Sequence, residues 1–362
     1  MRGFLKPVAW LICVFAMATA GCSSGSGDAS DRAARAADSP GASATSPASP
    51  TSPASPTSPA SPTSPASGSG SVSYAPYVSA TEAADTDSAG SPTTYNLAFV
   101  ISGGSGCTPK WNGTEAIGDP AVTSRIAKLT ADGGGVRVSF GGASGKELAS
   151  TCTSATALAA AYGTALDAAG SRQADFDIEG DQLTDADSVA LRSEAIALLQ
   201  KERTDLTVTF TLPVMPSGLD ADSLALLASA NAHDVQVSSV NIMTMNYGES
   251  YGGDMGDYAL TAARATHTQL KKVFGLSDAG AWRGMALTSM LGVNDVDGET
   301  FTLSDAAQVR AFAEEKEIGW VSMWSTFRDV PCEDGQRSQD DAATNCSGVS
   351  QSSGAFGRAL SG

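Results

Sequence analysis

Short apolar runs recur at fairly regular intervals along the chain: SYAPYV (73–78), YNLAFVIS (95–102), GVRVSF (135–140), ADFDIE (174–179), LTVTFTL (206–212), VSSVNIMTM (237–245), GMALTSM (284–290) and GWVSMW (319–324). Several are near-continuously apolar, the pattern of strands covered on both faces. Between most of them lie Ala- and Leu-rich stretches with helical spacing: SATALAAAYGTALDAAG, SVALRSEAIALLQKER, YALTAARATHTQLKKVF and LSDAAQVRAFAEEKE. Alternating strands and helices predict a parallel sheet, and eight such strands predict an α/β fold of the (β/α)8 TIM-barrel type. The connection from Ala80 to Thr94 has poor helical character, so the first units are weaker. An open doubly wound sheet is the alternative, but no GxGxxG follows the first strand.

The pattern is absent before residue 71. Residues 1–22, MRGFLKPVAWLICVFAMATAGC, have a basic start (Arg2, Lys6), an apolar run and a small-residue exit. That is a signal peptide, too short and wrongly flanked for a membrane span. Its exit, Thr19-Ala20-Gly21-Cys22, is similar to a bacterial lipobox, which makes Cys22 a candidate lipid-attachment site. Ala18-Thr19-Ala20 would serve an ordinary signal peptidase instead. Residues 23–70 form a Ser/Pro/Thr-rich linker, expected to be disordered, in which 45–67 repeats TSPASP. Such a tract buries no core and runs extended as a spacer. Residues 71–362 are left as one large domain.

Charge and cysteine usage narrow the partners. With 39 acidic against 22 basic residues the net charge is −17, which argues against nucleic acid and anionic membrane surfaces. Cys107, Cys152, Cys332 and Cys346 remain in the exported part. An even count in an oxidising compartment implies disulfides, and four cysteines allow three pairings. No CxxC pair is present, so no zinc cluster and no metal site is expected. The placement of the strands adds one expectation. Cys107 and Cys152 follow strands two and three and so share the C-terminal rim, while Cys332 and Cys346 flank one loop after strand eight.

The stretch DFDIEGD (175–181) is the candidate chemistry. On a strand, residues two apart share a face, so Asp175, Asp177 and Glu179 form one row while Phe176 and Ile178 pack on the other side. In a barrel the row points inward and climbs to the C-terminal rim, with Glu179 last in the strand. Neighbouring buried carboxyls resist joint ionisation, a cost that chemistry explains better than stability does.

Competing motifs fail on position. D-x-D-x-E-G begins like a calcium loop, but the twelfth position is Ala186, and that loop needs a bidentate acid there. GGASGK (141–146) lacks both the leading Gly and the final hydroxyl of a phosphate loop. GESYG (248–252) fits a nucleophile elbow, but the only later histidine is His267, inside a helical run. His233 and His267 are expected at helix surfaces or edges.

Four pieces together resemble the family-18 glycoside hydrolases, the chitinases and their relatives. Ser139-Phe140-Gly141-Gly142 matches S-x-G-G on strand three, and Asp175 to Glu179 matches the core of D-x-x-D-x-D-x-E on strand four. Met243-Thr244-Met245-Asn246-Tyr247 is similar to the strand-six cluster, and Trp324 to the tryptophan ending strand eight. Arg172 replaces the first Asp of the long motif, and Asn246 stands where many members have Asp. The resemblance implies a barrel with catalytic residues Glu179, Asp177 and Asp175, and substrate-binding residues Tyr247, Met245, Asn246, Met243 and Trp324. It implies no cofactor, and chitin or N-acetylglucosamine oligosaccharides as substrate of a monomer. It also implies a retaining mechanism in which the substrate's acetamido group is the nucleophile. An endo-β-N-acetylglucosaminidase acting on N-glycans shares the motif. A chitin-binding lectin is the non-enzymatic alternative, although such proteins typically lack the acid found here as Glu179.

Overall fold

The computed structural model describes residues 72–333 and 346–362. The signal segment, the linker and Cys22 lie outside the described residues.

Pro76 breaks the first strand, β1, into Ser73–Tyr74 and Tyr77–Ser79, and both halves are used. Ser73 and Tyr74 pair in parallel with the last strand, while Tyr77 to Ser79 pair with the second. The ring is therefore closed through the two halves of one interrupted strand. Around it run β2 (Thr94–Ser102), β3 (Gly135–Gly141), β4 (Gln173–Asp177), β5 (Thr207–Pro213), β6 (Val237–Met243), β7 (Met285–Met290) and β8 (Trp320–Trp324). Each pairs in parallel with its neighbours. The predicted (β/α)8 barrel is the fold.

Helices follow every strand from β2 onward: α1 (Pro120–Leu129), α2 (Ala155–Ala169), α3 (Ala186–Glu202), α4 (Ala221–Ala232), α5 (Met255–Phe274), α6 (Leu303–Lys316) and α7 (Ala355–Ser361). Their starts are written in the sequence. Asp119, Ser154, Asp185, Asp220 and Asp254 each accept a first-turn N–H, and Thr302 with Asp305 forms a capping box, satisfying donors that the helix itself leaves open. No helix follows β1, as the weak 80–94 segment implied. Turns fill that segment, and buried Asp87 ties it down, pairing with Arg125 on α1 at 3.0 Å and accepting from Thr326 after β8 at 2.6 Å.

The apolar core lies between the ring and its helices. Phe176 stacks on Phe140 at 5.3 Å and meets Tyr162 of α2 and Phe210 of β5. The ring interior is polar instead: Asn96, Arg137, Ser139, Asp175, Thr209, Thr211, Asn241 and Thr288 are all buried there. Barrels ordinarily fill this space with branched aliphatic side chains, so the polar filling needs a reason beyond packing.

Loops on the C-terminal rim are stapled. Cys107 is bonded to Cys152 and Cys332 to Cys346, the pairing expected from the strand positions. His267 departs from expectation. It is buried on α5, stacked on Trp282 at 3.9 Å between ring centroids, with Nε2 against the Asp278 carbonyl. Helical spacing alone did not distinguish that face from the solvent face.

Candidate active site

Asp175 sits at the centre of a hydroxyl cage. Its Oδ2 accepts from Tyr77 (2.8 Å) and Ser139 (2.6 Å), and its Oδ1 from Thr211 (2.6 Å). Asn241 donates to both Tyr77 and Thr211, and Thr288 donates to Asn241. Strands β1, β3, β5, β6 and β7 thus all converge on one carboxyl of β4. Burial pushes Asp175 above the usual carboxylate range, while these donors and the charge of Arg137 oppose the rise.

Asp177 is one inward position higher, and Asp177 and Glu179 are hydrogen-bonded to each other. Burial first, then the charges of Glu179 and Asp175, drive Asp177 well above its ordinary value. Burial also raises Glu179, and the bond to Asp177 partly offsets that rise. Three acids in a desolvated row resist joint ionisation, and Asp177 and Glu179 are close enough to share a proton. Oδ1 of Asp177 is buried and accepts from no N–H or hydroxyl of the protein.

The sequence reading put Glu179 inside the strand. The ladder instead ends at Asp177, with Ile178 still donating to Thr211 at 3.1 Å. The chain turns at Gly180 (φ 53°) into the short helix Asp181–Thr184. Glu179 is half-buried at this exit and faces a cavity of about 540 Å3 between the β3 and β4 loops, with Lys146, Ser150, Asp181, Gln182 and Asp185 on its walls.

The S-x-G-G signature acquires two structural meanings. Ser139 is a donor to Asp175, and Gly141 allows β3 to approach β4. At φ 103°, a Cβ on Gly141 would lie 2.1 Å from the Asp177 carbonyl oxygen, and the next N–H, of Gly142, donates to that oxygen at 2.9 Å.

Trp324, half-buried at the end of β8, stacks on Phe99 (5.4 Å, 20° between planes) and meets Tyr77 edge-on at 5.8 Å. Tyr77 therefore joins the aromatic floor to the acid row, with its ring on Trp324 and its hydroxyl on Asp175. Met243 ends β6 and is half-buried; past it, Met245 is half-buried and Asn246 is exposed at φ 53°. Tyr247 packs on Tyr251 and Tyr258, its hydroxyl enclosed without a hydrogen-bond partner. It is not among the groups bonded to the acid row. The buried carboxylate of Glu299, from the β7–α6 loop, accepts from Gly248 N–H at 2.8 Å and is held also by the backbone of Asn246 and Tyr247. Arg172 is exposed and ion-paired with Asp205, a surface role.

Sequence reasoning found the row and the tryptophan but missed Tyr77, Thr211, Asn241, Phe99 and Glu299. Each is a single residue on a separate element. The only available signal was the polar residues at inward positions of otherwise apolar strands, such as Thr211 in LTVTFTL.

No family model matches the chain. It is 36% identical over 277 residues to the "Probable bifunctional chitinase/lysozyme" of Escherichia coli (strain K12), covering 71% of this chain and 31% of that protein. It is 35% identical over 277 residues to Endochitinase 11 of Metarhizium anisopliae, covering 71% and 52%. The chain thus spans about a third and about half of these relatives. The crystal structure of the catalytic domain of the hyperthermophilic chitinase from Pyrococcus furiosus superposes with a TM-score of 0.70 at 28% identity, covering 83% of this chain and 95% of that one. Catalytic-site mutants of active domain 2 of a thermostable chitinase from Pyrococcus furiosus, complexed with chito-oligosaccharides, give 0.70 at 27% over the same shares. Together with the acid row at the mouth of a closed barrel, these likenesses support the chitinase-like, glycoside hydrolase family 18 resemblance read from the sequence.

Proposed function

We propose that the chain is a chitinase, hydrolysing β-1,4-linked N-acetylglucosamine polymers with retention and with the substrate's own acetamido group as nucleophile. The observation that supports this reading is the buried, adjacent pair of Asp177 and Glu179 at the barrel mouth, both carboxyls raised above their ordinary values, chiefly by burial. When a sugar binds, a proton shared by the pair passes to Glu179 and from there to the glycosidic oxygen as the C–O bond breaks. Asp177 is left negative and accepts the acetamido N–H, which aligns the acetamido oxygen for attack on the anomeric carbon. The product is an oxazolinium ion. Glu179, now a carboxylate, deprotonates the water that opens it. Proximity supplies the nucleophile, so no residue need form a covalent bond to the sugar.

Trp324 and Phe99 offer a stacked apolar floor for the ring, as aromatic faces do for sugar C–H edges. The hydroxyl of Tyr247 is the candidate partner for the acetamido oxygen, with Met243, Met245 and Asn246 beside it. The protein acts outside the cell, secreted or anchored through a lipidated Cys22 with 23–70 as spacer. Two disulfides suit such an oxidising compartment.

Partly deacetylated chitosan provides the test. The unit on the non-reducing side of each cut has to be acetylated and its neighbour need not be, so new reducing ends should be N-acetylglucosamine and the first-formed anomer β. Glucosamine in quantity at new reducing ends, or an initial α-anomer by NMR, refutes the mechanism. Release of glycan from a high-mannose glycoprotein, with chitin oligosaccharides untouched, would replace chitin by N-glycans.

A further inference from the structure

Beneath the acid row lies a buried cation that this scheme does not use. Arg137 stands on β3 two residues before Ser139 and is 8% exposed. Its Nη1 donates to Asn96 Oδ1 at 2.7 Å and its Nη2 to Gln173 Oε1 at 3.2 Å. The guanidinium carbon lies 4.5 Å from the centroid of the Trp320 ring. All three partners are neutral. Enclosing an uncompensated guanidinium is costly, and a neutral residue could brace the floor at lower cost.

The nearest layer above explains the charge. Ser139 is in register with Asp175, so Arg137 lies two residues lower on the adjacent strand, roughly 7 Å beneath along the ring. The other groups facing Asp175 are Tyr77 from β1, Ser139 from β3, Thr211 from β5 and the acids Asp177 and Glu179 above it. Tyr77 is held neutral by burial. Arg137 is the one cation in this set.

We infer that Arg137 is a positioning residue for catalysis: its charge keeps Asp175 ionised, so that the single proton of the row stays between Asp177 and Glu179. The consequence for turnover rests on the proposed function, but the electrostatic claim does not. Without the cation the row takes up a further proton at higher pH, on Asp175. A neutral Asp175 no longer repels charge on Asp177, and the proton distribution on which Glu179 draws is altered.

The experiment uses the full chain labelled with 13C at aspartate carboxyls, the Asp175 signal being assigned by its loss in Asp175→Asn. In the wild type and in Arg137→Lys, Asp175 is expected to be ionised at neutral pH. In Arg137→Gln, which keeps polar contacts but not charge, its titration midpoint should rise by about one to two pH units, the effect of a unit charge on the order of 7–10 Å away at an effective dielectric of about 20. The acid limb of kcat/KM on chitin oligosaccharides should rise with it, and lysine should restore it. An Asp175 protonated at neutral pH in the wild type, a result that requires no Arg137 variant to fold, overturns the inference. So does a Gln variant with lowered Tm but unmoved titration and pH profile, since that is a brace only. Expected titrations without cleavage of any chitin oligosaccharide would refute the proposed function and leave the role of Arg137 toward Asp175 standing.

Discussion

Replacing Gly141 by alanine tests whether a close backbone approach sets the position of Asp177. The added Cβ would lie 2.1 Å from the Asp177 carbonyl oxygen, and such contacts are essentially never below 3.0 Å, so β4 has to retreat by about 0.9 Å (3.0 − 2.1). The left-handed φ costs roughly 1–2 kcal/mol for a residue with a side chain. Weakening the Gly142 to Asp177 bond adds about 1 kcal/mol, so the variant should lose about 2–3 kcal/mol of stability. A displacement of that size at an aligned group costs on the order of 10²-fold in rate. Urea denaturation measures the first effect, and kcat on chitin oligosaccharides for the folded fraction measures the second. A variant within about 0.5 kcal/mol of wild type, the range of ordinary surface substitutions, would refute the claim that this contact is rigid. A destabilised variant with unchanged kcat would show that the approach does not position the acid row.

Other outcomes follow from the same geometry. Glu179→Gln should fold and bind oligosaccharide while hydrolysis falls by at least about 10²–10⁴-fold, the worth of general acid–base catalysis; near wild-type turnover would remove Glu179 from its role. Asp177 titrates higher when folded than when unfolded, chiefly through burial. Its contribution to stability is therefore full below the ordinary carboxylate range and declines as pH rises through the elevated folded value. Asp177→Asn should accordingly raise Tm at neutral pH, with little effect at acid pH, while abolishing activity; an unchanged or lowered Tm at neutral pH contradicts this. Selective loss of Cys332–Cys346, which closes a 14-residue separation, should cost about 3 kcal/mol in the chain-entropy model. It should also loosen the Val293 N–H to Ser347 bond beside it. Denaturation of a double Cys→Ser variant, with hydrogen exchange at Val293, checks both.

Strand and helix positions were legible because each carries a local period. The eight apolar runs match the barrel strands to within about two residues at most ends, and the Ala- and Leu-rich stretches fall on α2, α3, α5 and α6. The row of Asp175, Asp177 and Glu179 was legible because strand alternation needs only one segment. Two local details escaped. Pro76 splits β1, yet each half finds a different neighbour, which periodicity cannot express. Glu179 leaves the strand because Gly180 turns the chain, although the alternation continues past the last ladder pair.

What the sequence determined by itself is therefore the barrel, the acid row and its tryptophan, all encoded by short-range pattern or by motif order. Only tertiary structure decided what surrounds the row. Tyr77, Thr211, Asn241 and Arg137 come from four different strands and meet Asp175, or its neighbouring layer, only when the ring closes. Proton placement among the three acids depends on that enclosure, because desolvation and the fields of groups distant in the chain act through space rather than along the sequence.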